Sequence, residues 1–133
     1  MPRADRRTFS FPKSARLLRR SDYDVLKERG RRFAEGPLAA SWIPQTGGPA
    51  SAGMSRSVAR VGIAVSSKVG HAVVRNRVKR RLREAIRHEL RSLPAVDLVL
   101  VARSSATRAT VAELRSWLRR ASSRIGAERE GTP

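Results

Sequence analysis

Residues 60–84 read RVGIAVSSKVGHAVVRNRVKRRLRE, and two different periods meet in this run. From Val58 to Ser66 the chain alternates, with Val61, Ile63 and Val65 on one face and Arg60, Gly62 and Ala64 on the other, which is the period of a strand. One face carries bulk to bury and the other is nearly bare. A bare face is either covered closely by a helix or left open as the floor of a ligand site. From Asn76 the period becomes three and four. Val78, Leu82, Ala85, Ile86, Leu90 and Leu93 fall on one side of a helix that Pro94 stops. Between strand and helix, Gly70 makes a turn and Ala72–Val74 reads as a brief extended piece, with Asn76 placed as the N-cap.

After this run, Val96 to Arg103 is apolar on both faces apart from Asp97, which suits a central buried strand. A final helix opens at a capping box, Thr110 with Glu113, and its inner stripe is Val111, Leu114, Leu118, Ala121 and Ile125. Beyond Gly126 the chain is polar and is expected to fray. Before the run, Pro37 to Ile43 reads as a strand ended by Pro44, and Gln45 to Ser57, rich in Gly, Ser and Ala, as a loop. A short helix comes first. Ser21 is its cap, Asp22 and Asp24 sit in its first turn near the positive end of the dipole, and Gly30 closes it in the left-handed conformation. Tyr23 and Leu26 share a face of that helix. The order is helix, strand, strand, short strand, helix, strand, helix. This predicts an α+β single domain over 14–126 with a loop at 44–57, a flexible basic arm at 1–13 and a disordered tail at 127–133.

A chain of 133 residues has room for one ordinary core. Its formal charge is +18, from 29 Lys and Arg against 11 Asp and Glu, and such self-repulsion favours a polyanionic partner. Only 4 of the cations are Lys. Guanidinium makes bidentate phosphate contacts and stacks on bases, although a GC-rich genome would also favour Arg. There is no Cys, so disulfides and thiolate metal sites are excluded. No apolar run approaches the roughly 18 residues of a membrane span. Met1 to Lys13 lacks the apolar stretch of a signal peptide, so the expected location is cytoplasmic.

The charge concentrates in Lys68 to Arg91, where nine Lys or Arg face two acids, Glu84 and Glu89. On a helical wheel Arg77, Arg80, Arg83, Arg87 and Arg91 lie nearly opposite the Val78, Leu82, Ile86 stripe. A merely solvated surface intersperses its signs. This one is almost single-signed, which points to RNA or DNA. His71 and His88 stand without carboxylate partners in sequence reach and read as surface or hinge positions. First-turn placement accounts for Asp22 and Asp24 without a metal, so neither a catalytic residue nor a metal site is expected in the protein.

The run 60–84 closely resembles the signature of the bacterial ribonuclease P protein family, whose hallmark is an Arg-Asn-Arg triplet, here Arg75-Asn76-Arg77, ahead of a basic helix. The likeness continues in Arg16-Leu17, Asp22-Tyr23 and Gly30, and in Asp97 to Arg103. The resemblance implies an αβββαβα sandwich like the second domain of a small-subunit ribosomal protein, with a mixed four-stranded sheet. It also implies a left-handed βαβ crossover against the usual right-handed preference. The implied partners are the catalytic RNA of ribonuclease P, docked on Arg75, Asn76, Arg77, Lys79, Arg80 and Arg83, and precursor tRNA, with no membrane and no obligate protein partner.

The 5′ leader of precursor tRNA is implied to lie in a cleft lined by Tyr23, Ser66 and Lys68. The implied cofactor is Mg²⁺, held mainly by the RNA, which carries the cleavage as the catalytic half of an endoribonuclease. Two positions depart from the family pattern: Lys27 stands where a second aromatic is frequent, and Ser67 where a second Lys is frequent. Phe33 is the candidate that would restore a stacking surface, and Trp42 is equally a core residue. The rival reading is a ribosomal protein or general RNA chaperone with no cleavage role.

Overall fold

The computed structural model describes residues 15–16, 20–44 and 59–131, the last three as backbone only. The expected arm 1–13 and the loop from Gln45 lie outside the described residues. In order come α1 (Arg20–Arg29), β1 (Arg31–Glu35), β2 (Leu38–Pro44), β3 (Arg60–Ala64), α2 (Ala72–Glu89), β4 (Val96–Ala102) and α3 (Val111–Gly131). Short 3-10 turns follow α2 at Leu90–Ser92 and β4 at Ser104–Arg108. The strands form one mixed sheet, β1-β2-β4-β3, in which β3 and β4 are parallel and the other pairs antiparallel. α2 is thus the crossover between adjacent parallel strands. No described helix is long and apolar enough to cross a membrane.

The expected order of elements holds, but one strand is not where the sequence placed it. Ala72–Val74 is the first turn of α2, not an extended piece. The Arg75 amide donates to the His71 carbonyl at 2.9 Å, and Val74 packs on Gly70, where a Cβ would stand 2.9 Å from Val74 Cγ1. Two β-branched valines read as strand, and tertiary packing overrides them. Asn76 is therefore inside the helix and caps nothing; the N-cap position is His71. The third strand is instead β1, which pairs with β2 through a two-residue turn at Gly36 and Pro37. Gly36 takes φ +56, the positive value that a primed hairpin turn needs at its first central position.

Three further boundaries move. α1 begins at Arg20, so Ser21 lies in its first turn and does not cap it. Gly30 follows α1 without a positive φ. It is required for space: a Cβ there would stand 2.4 Å from both Leu26 O and Ser41 Oγ. α3 runs through Gly126 to Gly131 and does not stop there.

The two sheet faces differ sharply. Leu38, Ala40 and Trp42 of β2, Val61 of β3 and Val96, Leu98 and Leu100 of β4 point to one side. They bury against Val78, Leu82 and Ile86 of α2 and Leu114, Trp117, Leu118 and Ile125 of α3. A capping box closes the start of α3, with Thr110 Oγ1 accepting from the Glu113 amide and Glu113 Oε1 from the Thr110 amide, both at 3.1 Å. α2 and α3 are joined by Glu89, 5 % exposed, which accepts from Arg115 Nε at 2.9 Å and Arg119 at 3.0 Å. The opposite face carries Gly62 and Ala64 of β3, Val99 and Val101 of β4 and Ala39 and Ser41 of β2. Among the described residues only α1 covers it, through Leu26 and Tyr23 against Val99 and Ala64.

Candidate RNA interface

α2 has a packed side and a cationic side, as its wheel predicts. Asn76, Lys79, Arg80, Arg83 and Arg87 line one side of a concavity of about 480 Å³, and Arg16 completes it from the outer edge of β3, where it bridges Val61. Five cations thus meet one acid, Glu84. That acid is occupied: Arg87 donates to it at 2.6 Å, and His88 Nε2 lies 3.0 Å away. The bond from Arg87 holds the Glu84 carboxyl below the usual carboxylate range. His88 therefore has a carboxylate partner one helical turn earlier, against the expectation that it stands alone.

Of the six residues implied for RNA docking, Asn76, Lys79, Arg80 and Arg83 come together in this concavity. Arg77 is exposed on its flank and Arg75 is half-buried beside it. Arg16 and Arg87 belong with the four as well. Arg87 was legible in the helical period, whereas Arg16 is brought in by a bridge that no periodicity signals. Arg81, in the middle of the basic run, is structural: its Nη1 donates to the carbonyls of Thr107 at 3.0 Å and Ala109 at 3.4 Å.

The second surface is the thinly covered sheet face. Between α1 and the sheet runs a groove of about 590 Å³ with a floor of Ala34, Ala39, Ala64 and Val101, walled by Tyr23 and Lys27 of α1. The floor consists of small side chains, so a flat group can approach the backbone. Tyr23 is half-buried. Burial pushes its phenol above the ordinary value, and a backbone hydrogen bond from Ile63 opposes that rise. Ile63 lies in the edge strand β3, so Tyr23 both walls the groove and ties α1 to the sheet. Lys27 brings a cation to this wall, and Arg32 of β1 bonds the Lys27 carbonyl.

Ser66 and Lys68 do not line this groove. They line an adjoining hollow of about 420 Å³ beyond the ends of β3 and β4, together with Arg103, Ser104 and Ser105. Phe33 stands apart from Tyr23, Ser66 and Lys68. It borders the groove, but its side chain is buried on the opposite sheet face, where the ring stacks on Trp117 at 5.8 Å and the Arg124 guanidinium lies 4.4 Å from its centroid. The strand period explains this, since Phe33 alternates with Arg32 and Ala34, which face the groove side. Trp42 is likewise core, at 1 % exposure. Among the described residues no group of three or more His, Asp or Glu is placed to hold a metal ion.

A cationic helix face with an apolar groove on a separate sheet surface defines a small basic RNA-binding protein of α+β fold. A family model described as Ribonuclease P matches residues 11–126. A ribonuclease P protein component of Xanthomonas oryzae pv. oryzae is 42% identical over 118 residues, covering 88% of this chain and 74% of that one. Its counterpart from Desulfovibrio desulfuricans is 40% identical over 121 residues, covering 86% and 88%. Among solved structures, the RNase P protein of Thermotoga maritima superposes with a TM-score of 0.66 at 26% identity, covering 82% of this chain and 96% of that one. That of Staphylococcus aureus superposes with a TM-score of 0.67 at 24% identity, covering 86% and 96%. The chain belongs to the ribonuclease P protein family.

Proposed function

We propose that this chain is the noncatalytic partner of a ribozyme, holding the catalytic RNA on the α2 concavity and the 5′ leader of precursor tRNA in the groove beneath α1. The observation that carries this reading is the separation of the two surfaces. The concavity is dense in cations and suited to the phosphates of a folded RNA. The groove is flat-floored and apolar, with one aromatic wall, and is suited to the bases of a single strand. Lys68 and Arg103 line the hollow beyond the ends of β3 and β4, where they can meet the phosphates of a strand that runs past the groove.

The chemistry of cleavage is assigned to the RNA and its Mg²⁺, since the described residues offer no carboxylate cluster that fits the ion. The protein neutralises repulsion between two RNAs and adds affinity for the leader, and the proposed place of action is the cytoplasm. The test is cleavage of precursor tRNA by a bacterial ribonuclease P RNA at low Mg²⁺. Addition of the protein should rescue cleavage, and protein alone should cleave nothing. In the same assay, Tyr23→Ala should lower precursor affinity at least about fivefold while leaving mature tRNA unaffected, the low end of the effect for one stacked base. An equal decrease on both RNAs would place Tyr23 in the fold and not in the leader site.

A further inference from the structure

α1 forms one wall of the groove, so its distance from the sheet sets the groove's width. Its C-terminal end lies close against β2 at Gly30, where Ser41 Oγ donates at 2.9 Å to the Leu26 carbonyl, which also accepts from the Gly30 amide at 2.9 Å. Its N-terminal half is tied to the sheet by the Tyr23 phenol and a set of charges. Arg60, the first residue of β3, lies opposite Asp97 in the parallel register with β4. It is held there by a two-pronged bond, Nε to Oδ1 at 2.9 Å and Nη2 to Oδ2 at 2.6 Å. The same Nη2 lies 3.7 Å from Asp22 Oδ1 on α1. A forked guanidinium fixed by two bonds has little freedom left, so Asp97 orients Arg60 and Arg60 meets Asp22. The three side chains are each about one-fifth exposed, which shields the pair from full solvent screening.

We propose that Asp97, Arg60 and Asp22 form a latch that sets the position of α1 over the sheet, making Asp97 and Arg60 positioning residues for the single strand that the groove takes. This inference rests on the leader occupying that groove. Asp97 lies on the same face of β4 as Val99 and Val101 but two residues before the groove begins, so it acts through Arg60 and not by contact with RNA.

The latch makes an unusual prediction about charge. Removing an acid from an RNA-binding protein ordinarily strengthens RNA binding by relieving repulsion. Here Asp97→Asn should weaken the holoenzyme's preference for precursor over mature tRNA about threefold to fivefold, the range expected for a partly exposed ion pair. Asp22→Asn should do the same, and the double variant should lose no more than either single one, because both act through the same arginine.

The wall itself can be followed without RNA. The chain has no native cysteine, so spin labels at Val25→Cys on α1 and Ala112→Cys on α3, both exposed positions, report one distance. Asp97→Asn should broaden the distribution of that distance in pulsed dipolar spectroscopy. An unchanged distribution overturns the latch, whatever the kinetics. A broadened distribution with wild-type preference for precursor tRNA overturns the placement of the leader and leaves the latch in force. A preference that rises in each single variant and adds in the double one shows the acids acting by charge alone, and that too overturns the proposal.

Discussion

The ring of Phe33 lies 5.8 Å from that of Trp117 with the planes 16° apart, and this stack ties the edge strand β1 to α3. Trp117 Nε1 adds a bond to the Glu35 carbonyl at 2.7 Å. β1 has one buried side chain in five residues, so beyond its pairing with β2 its attachment to the core depends on Phe33. Phe33→Ala should lower the free energy of unfolding by about 3–4 kcal/mol, read by urea titration. Measured at a temperature where the variant stays folded, its preference for precursor over mature tRNA should match wild type. A selective decrease on the precursor would return Phe33 to the leader site.

Arg80 and Arg83 separate from Arg81 in the same helix. Arg80→Ala with Arg83→Ala should weaken binding to the catalytic RNA and flatten its salt dependence by about 0.7–0.9 in slope for each phosphate no longer neutralised. The unfolding midpoint should not move, since both side chains are exposed. Arg81→Ala should show the reverse pattern. It leaves the Thr107 and Ala109 carbonyls without that donor and should lower stability by about 1–2 kcal/mol, with the salt slope retained.

Tyr23 is the only tyrosine in the chain, so phenolate absorbance titrates it alone. Burial places its folded pKa above the unfolded value. Folding therefore favours the neutral phenol. Its contribution to stability is full below the unfolded pKa, near 10, and is lost as pH rises through the folded one. The absorbance midpoint of the native protein should lie above that of the protein in denaturant. Coincident midpoints would show that the phenol is fully hydrated and does not touch the sheet.

Gly30→Ala tests the other anchor of α1. The added methyl meets backbone at Leu26 and a hydroxyl already bonded to it, so the neighbours cannot give way without moving the helix. A cost of about 1–3 kcal/mol in stability is expected. The groove is shaped by the same helix, so discrimination for precursor tRNA should fall together with stability, unlike in Phe33→Ala.

What the sequence made legible follows from where each signal comes from. α2, β4 and α3 bury wide apolar stripes, and their periods survive in the chain: Val78, Leu82 and Ile86, then Leu98 and Leu100, then Leu114, Leu118 and Ile125 are all core. β1 was invisible because an arginine-rich edge strand with a single inward ring carries no alternation to detect. Ala72–Val74 misled because local preference points to strand, while the packing of Val74 on Gly70 is a tertiary event. In the concavity, Asn76, Lys79, Arg80 and Arg83 lie within a few turns of one helix, so spacing alone brought them together. Arg16 and Arg103 reach their surfaces from distant segments. The face that Phe33 presents depends on β1, a strand the sequence did not show.

The bare face of β3, built on Gly62 and Ala64, has a consequence for how such a protein can change over generations. Nearly all the bulk that holds the fold together lies on the other side of the sheet. Substitutions among Ala34, Ala39, Ala64 and Val101 therefore alter the floor of the groove while leaving the packing of α2 and α3 alone. If the groove takes the leader as proposed, recognition and the main core sit on opposite sides of one backbone, and a lineage could vary the first while keeping the packing of α2 and α3.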